Sequence, residues 1–184
     1  MKNNIDEILD NKSDNKKKSF IKEIIELACL VIVMFLIFNY VLMSVRVSGT
    51  SMLPTYQDGN RGIMVRYMGF NKPNYDDVVV IDYDWQGENE YIVKRIIGLP
   101  GDTVEVKNNQ VYVNNKAIAD PHRMPGSEMA DEPSIKLASD EYYVLGDNRD
   151  VSKDSRIIGP VNISKIKAVD GFIYWPLSNI KIMN

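Results

Sequence analysis

YIVKRIIGLPGDTVEVKNNQVYVNN, residues 91–115, is the stretch that sets the fold class. Side chains of a strand alternate between two faces, and the short β-branched runs YIVKRII (91–97) and TVEVK (103–107) have the texture of strands. Between TVEVK and QVYVN stand Asn108 and Asn109, a residue type that tolerates the positive φ of a tight hairpin turn. A second pair, Asn114 and Asn115, predicts another turn directly after. Within 91–97, alternation places Ile92, Lys94 and Ile96 on one face and Tyr91, Val93, Arg95 and Ile97 on the other, so each largely apolar face carries one cation. Two outcomes fit such a lysine. Its stem can snorkel to water, or it can be buried, which disfavours the ammonium and pulls its pKa down from about 10.4 toward a neutral amine able to act as a general base.

Outward from this stretch the same texture continues. RGIMVRYM (61–68), DDVVVIDY (76–83), EYYVLGDN (141–148) and KIKAVDGFIYW (165–175) read as further strands, with no repeats and no alternation of strand and helix. Residues 119–139 hold three prolines, a glycine and few apolar side chains, and read as a long external loop. The expected body is a mostly antiparallel β domain.

The N-terminal quarter is different. Leu27 to Val45, LACLVIVMFLIFNYVLMSV, runs nineteen residues without a charge, about 28 Å as a helix at ~1.5 Å per residue and the thickness of a bilayer core. A cleaved secretion signal would have a shorter apolar region and a shorter charged front. A core helix would show a polar face, yet Asn39 and Ser44 are the only clearly polar positions. The reading is a retained single-pass anchor. Lys12, Lys16, Lys17, Lys18 and Lys22 precede the run, while Arg46 is the only basic residue in the fifteen positions after it. The positive-inside rule then puts the N-terminus in the cytoplasm and the β domain outside. The expected division is a cytoplasmic tail over 1–23, loose or weakly helical, an anchor over 24–45 and an extracytoplasmic domain over 46–184.

Charge and composition exclude several classes. Net charge is −3, divided as +1 over residues 1–46 and −4 over the remainder, which offers no footprint for nucleic acid. One cysteine, Cys29, and one histidine, His122, leave no intramolecular disulfide and few zinc ligands, so neither a metal nor any other cofactor is expected. His122 falls in the proline-rich excursion and reads as a surface loop residue.

SGTSMLPT, residues 48–55, clusters four hydroxyls just after the apolar run. A serine nucleophile needs a base within hydrogen-bond reach, and with one histidine available a desolvated Lys94 is the candidate. SGTSMLPT, YIVKRIIGLPGDTVEV (91–106) and GDNRDVSKDSRIIGPV (146–161), in that order behind an anchor, resemble the motifs of bacterial type I signal peptidases, membrane-bound serine/lysine enzymes. The resemblance implies a catalytic domain that is an antiparallel β-sheet, partly open and barrel-like, with Ser51 as nucleophile and Lys94 as general base. It implies that Ser152 orients the lysine amine and that Asp147, Asn148, Asp154 and Arg156 are structural neighbours, the last two as an ion pair. Some members carry a serine where this chain has Gly49, so the oxyanion would rest on the Ser51 N–H with a donor near Gly49.

The implied substrates are secretory preproteins with small residues at the first and third positions before the cut, of the Ala-x-Ala type, bound as an added strand. The implied partners are those preproteins and the bilayer, with the protein itself monomeric or weakly associating at the outer face of the cell membrane. Met68, Gly69 and Phe70 fit either an apolar tip at the outer leaflet or ordinary packing, while Met52 and Leu53 fit pocket wall or plain core. Two alternatives stand beside this reading: a self-cleaving repressor with the same dyad, which would be soluble with a DNA-binding front end, and a tethered β domain that binds peptides without chemistry.

Overall fold

The computed structural model describes residues 2–85 and 87–183, apart from the side chains of 2–17, 85, 88 and 89. It divides into two compact units, 1–41 and 42–184. The first is a single helix, α1 (Lys2–Leu36), whose last turn widens into a π-type turn over Ile37–Val41. The stretch Lys18–Val41 is long and apolar enough to cross a membrane, with mean hydropathy 2.5. The tail, read as loose or weakly helical, continues the same helix. Extending an existing apolar helix adds one hydrogen bond per residue without a new nucleation step. Of the basic flank, Lys18 and Lys22 are exposed, while the side chains of Lys12, Lys16 and Lys17 lie outside the described residues.

The second unit is built from antiparallel strands in chain order: β1 (Leu42–Arg46), β2 (Arg61–Arg66), β3 (Val78–Trp85), β4 (Glu88–Gly98), β5 (Thr103–Lys107), β6 (Gln110–Val113), β7 (Lys116–Ala117), β8 (Glu132–Lys136), β9 (Glu141–Leu145), β10 (Val161–Asn162), β11 (Ile166–Trp175) and β12 (Lys181–Met183). A four-residue helix, α2 (Ser155–Ile158), separates β9 from β10. One sheet follows the order β1-β2-β11-β3-β4-β9-β10 with β12 on β11, and the other the order β7-β6-β5-β8. Both are open paths, so the mostly β, partly open architecture holds and no barrel closes among the described residues.

The core explains these strands. Val78 and Val80 of β3 pack into a cluster with Val45, Met52, Tyr56 and Met64, while Val79 and Ile81 pack on the opposite side with Ile96, Tyr142 and Val144. A strand buried on both faces reads as an unbroken apolar run, as VVVI does. The second sheet covers a third cluster in which Val104, Val106, Val111 and Val113 meet Ile97, Tyr143 and Leu145. Both Asn pairs sit in left-handed conformation, with φ of 50° and 62° at Asn108 and Asn109 and 51° and 64° at Asn114 and Asn115.

Five strands depart from the sequence reading, of which β7 and β10 are only two residues long. Residues 42–45, assigned above to the anchor, form β1, paired Leu42↔Val65 through Arg46↔Arg61. Apolar residues serve a membrane span and a buried strand alike, so hydropathy does not mark the change. The excursion 119–139 contains β8, which pairs with β5 through Val104↔Ile135; its exposed residues and Pro133 suit an edge strand. The last residues, 181–183, add β12 to β11.

β11 carries a bulge between Val169 and Gly171 where it pairs with β2, with Asp170 at φ 49°. A Cβ on Gly171 would strike the Ile63 carbonyl oxygen and come within 2.7 Å of Met64 Cα, both backbone atoms of β2 that cannot step aside. Gly171→Ala should therefore destabilise the protein by about 1–3 kcal/mol, the range for overpacked interiors, read as a lowered urea midpoint at unchanged slope. An unshifted midpoint would show that β2 and β11 can separate at little cost.

Candidate active site

β4 delivers the two cations anticipated from its sequence, and both are buried. Lys94 is 3% exposed and Arg95 1%. Their fates differ because of what each meets. Arg95 makes a bidentate pair with Asp147, Nε to Oδ1 at 2.9 Å and Nη2 to Oδ2 at 2.9 Å, and donates from Nη1 to the Asp76 carbonyl at 2.6 Å. Burial works against its charge, but Asp147, with smaller contributions from Tyr56 and Asp76, more than offsets this and the guanidinium is held protonated. Lys94 has no carboxylate in ion-pair contact among the described residues. Desolvation pulls its pKa down to about 8, with Asp154, Glu90 and Asp147 pulling weakly the other way from a distance.

Lys94 Nζ lies 2.9 Å from Ser51 Oγ and donates to the Val93 carbonyl at 2.9 Å. The structure thus brings together the two residues singled out as nucleophile and base, 43 positions apart in the chain. Ser51 sits in the loop between β1 and β2. The loop is closed at its base, where the Val47 N–H donates to the Asn60 carbonyl at 2.8 Å and the Gly59 N–H to the Val47 carbonyl at 2.9 Å.

The turn after β9 holds the loop from one side. The Asn148 N–H donates to the Ser51 carbonyl at 3.0 Å, Asn148 Nδ2 to the Thr50 carbonyl at 3.2 Å, and Thr55 Oγ1 to Asp147 Oδ2. Gly146 lets this turn approach. A Cβ there would meet the Ser51 carbonyl oxygen at 2.6 Å and collide with the Ser152 hydroxyl.

Asp154 accepts from the Gly146 N–H at 3.0 Å and pairs in bidentate fashion with Arg156, both bonds at 2.8 Å, while capping α2. Arg156 Nη2 also reaches the Arg149 carbonyl at 2.8 Å. The ion pair implied by the resemblance is therefore formed, and it braces the same turn.

Two expectations meet a different geometry. Ser152 is 5% exposed with Oγ unpartnered among the described residues, so the bond from its hydroxyl to the lysine amine is not formed in this structure. The amine instead uses a hydrogen on the Val93 carbonyl. The Gly49 N–H, considered as a second oxyanion donor, donates to Asp58 Oδ1 at 2.9 Å and is occupied. A carboxylate nine residues on captures the amide that the loop would otherwise present. The Ser51 N–H donates to no group among the described residues.

Sequence reading missed a supporting cation. Arg149, buried, donates from Nε to the Gly146 carbonyl at 2.9 Å and pairs with Asp120 at 2.7 Å, tying the 119–139 segment to the turn behind Ser51. No sequence signal marked it, because its burial and its pairing with Asp120, 29 residues back, depend on how the 119–139 segment folds.

A cleft of about 380 Å³ opens at the pair, lined by segments 46–52 and 90–94 with Val151 and Lys153. β9 pairs with β4 over 95–98, so among the described residues 90–94 has a strand partner on the β3 side alone. A hollow of about 440 Å³ beside Ile96, Val113 and Ile118 holds no nucleophile next to a base.

Comparison with known proteins gives three findings. The family model described as signal peptidase, peptidase S26, matches residues 18–175. The chain is similar to signal peptidase I of Bacillus licheniformis, at 35% identity over 94% of this chain and 97% of that protein, and to signal peptidase I S of Bacillus subtilis (strain 168), at 33% identity over 94% and 100%. A crystal structure of a signal peptidase I from Enterococcus faecalis V583 superposes with a TM-score of 0.46 at 26% identity, covering 54% of this chain and 97% of that one.

The lysine's burial has a consequence that can be read without any substrate. Below pH about 8, Lys94 is protonated in the folded and unfolded chains alike, and the folded state bears the full cost of burying the charge. Between about 8 and the ordinary value of 10.5 the folded amine is neutral while the unfolded one keeps its proton. The unfolded state then binds more protons, so stability rises with pH across that window. In denaturant titrations the stability of wild type relative to Lys94→Met should climb from pH 8 to 10.5; a flat difference would contradict a burial-driven shift.

Proposed function

The chain belongs to the signal peptidase family, peptidase S26, and from that membership we propose that it removes N-terminal signal peptides from exported preproteins, with Ser51 as nucleophile and Lys94 as general base. The observation that carries the residue assignment is the 2.9 Å approach of Ser51 Oγ to the amine of a buried lysine.

The reaction is acyl transfer. Neutral Lys94 takes the hydroxyl proton as Ser51 Oγ attacks the scissile carbonyl, and the tetrahedral oxyanion forms within reach of the Ser51 N–H. The proton passes from Lys94 to the departing amine nitrogen as the C–N bond breaks, leaving an ester on Ser51. Lys94 then deprotonates water for attack on that ester, releasing the signal peptide's new carboxylate and restoring the serine. Burial at pKa about 8 supports this role, since an amine near that value is both partly neutral at physiological pH and basic enough to accept the proton. Ser152, whose hydroxyl has no partner among the described residues and lies with the Ser51 carbonyl against Gly146, is proposed to orient the amine.

Substrate is proposed to bind extended along the β4 edge at 90–94, as an added strand, with small residues of the Ala-x-Ala type before the cut. The span Lys18–Val41 is proposed to anchor the protein in the cell membrane with its N-terminus cytoplasmic and the β unit outside, on the evidence of the lysines that precede it. Phe70, 78% exposed, and the partly exposed Met68 support contact with the outer leaflet, and the protein is proposed to act as a monomer or a weak associate.

The test is cleavage of a preprotein bearing an Ala-x-Ala site by the detergent-solubilised full-length protein. Ser51→Ala should lose at least about a thousandfold in turnover, and Lys94→Met about 10²- to 10⁴-fold, with both variants folded. Wild-type turnover should rise with pH to a plateau, with a midpoint near 8 as Lys94 loses its proton. Turnover by Ser51→Ala equal to wild type would overturn the assignment.

A further inference from the structure

Behind the nucleophile loop lies a segment outside the span matched by the family model, which ends at residue 175. A 3₁₀ turn, Leu177–Asn179, leads into β12, whose register Gly171↔Met183 through Ile173↔Lys181 carries it back along β11. Three of its side chains face the loop. Met183 is fully buried in the cluster that holds Met52 and Tyr56. Asn179 Nδ2 donates to Asn60 Oδ1 at 2.9 Å, and Asn60 is the buried residue that closes the base of the loop. Lys181 Nζ donates to the Thr55 carbonyl and lies 5.2 Å from the centre of the Tyr56 ring.

These contacts are separate from the bonds made by the turn after β9. Thr55 is the junction of the two, since its hydroxyl donates to Asp147 and its carbonyl accepts from Lys181. The Tyr56 N–H closes a turn onto the Met52 carbonyl at 2.8 Å, so displacement of Thr55 or Tyr56 is transmitted through one turn of chain to Ser51.

We propose that residues 176–183 form a strap that positions Ser51, with Lys181 as the positioning residue that fixes the Thr55–Tyr56 end of the nucleophile loop. Lys181 takes no part in proton transfer; it restricts the loop so that Ser51 Oγ stays within reach of Lys94. A small misplacement of a reacting atom is enough to slow the chemistry by up to about a hundredfold. The strap rests on the assignment of Ser51 as nucleophile, and the experiment separates the two.

Full-length protein in detergent carries Lys181→Met, Lys181→Arg or Asn179→Ala, with Ser51→Ala alongside. Cleavage of the Ala-x-Ala preprotein gives kcat and KM, thermal unfolding gives the folded fraction, and amide hydrogen exchange is followed over 50–57. Lys181→Met should lower kcat per folded molecule about tenfold with KM within about twofold and the pH midpoint unmoved, because the surroundings of Lys94 are unchanged. It should also speed exchange over 50–57. Lys181→Arg, which keeps a charged donor, should recover most of both, and Asn179→Ala should produce a smaller change in the same direction. Unchanged exchange in Lys181→Met, or a lowered melting point with full kcat per folded molecule, would overturn the strap even where wild type cleaves normally. Wild type no faster than Ser51→Ala would overturn the nucleophile assignment alone, leaving the exchange result to decide the strap.

Discussion

Adjacent side chains of β4 carry two cations into dry protein, and one carboxylate, Asp147, is spent on the second of them. This allocation organises the site. Arg95 with Asp147 is a complete bidentate pair that keeps its charges. Lys94, one residue earlier and facing the other way, receives a backbone carbonyl and a serine hydroxyl but no anion in contact among the described residues, and its ammonium is destabilised by burial. Had Asp147 lain against Lys94, the lysine would hold its proton and Arg95 would lose its bidentate carboxylate. A pairing usually described as structural therefore decides which residue can exchange protons.

The same carboxylate joins the strand to the loop. Asp147 also accepts from Thr55, and its neighbour Asn148 holds the carbonyls of Thr50 and Ser51, so the turn that pairs with Arg95 sets the backbone at Ser51. Arg149 and Arg156 brace that turn in their own directions, to Asp120 and Asp154. Ser51 thus sits on a loop without regular structure yet is fixed by polar contacts from the turn after β9 and from the C-terminal segment. A loop held only at its base would sample many positions of Oγ, and the approach to Lys94 would be one among them.

Much of this was legible in the sequence, and what was hidden was hidden for physical reasons. The Asn108–Asn109 and Asn114–Asn115 turns announce themselves because few residues accept positive φ. The β4 cations stand out against an apolar strand, and Ser51 and Lys94 could be singled out by residue type before any distance was known. β1 could not be separated from the anchor, since a bilayer and a protein core select the same side chains. β8 is an edge strand whose partner, β5, lies far back in the chain, at Val104↔Ile135, and β12, though it follows β11 closely, is a three-residue strand too short to mark itself by pattern. Pairings over long separations were also invisible: Arg95 with Asp147 is 52 residues apart, and the capture of the Gly49 amide by Asp58 depends on how the loop folds back. Ser152 shows the limit of motif reasoning, which gives the residue and its neighbourhood but not the bond its hydroxyl makes.

The bare edge of β4 at 90–94 has a further meaning. Its main-chain donors and acceptors are the same whatever chain lies along it, because a ladder of backbone hydrogen bonds is blind to side chains. An extended chain bound there, as proposed, would be gripped whatever its sequence, so generality would be a property of the strand and selectivity would be subtractive, imposed by the walls of a small cleft against whatever is too large to enter. One surface would then read many polypeptides as a single shape, the extended chain, and leave only a few positions on which they differ.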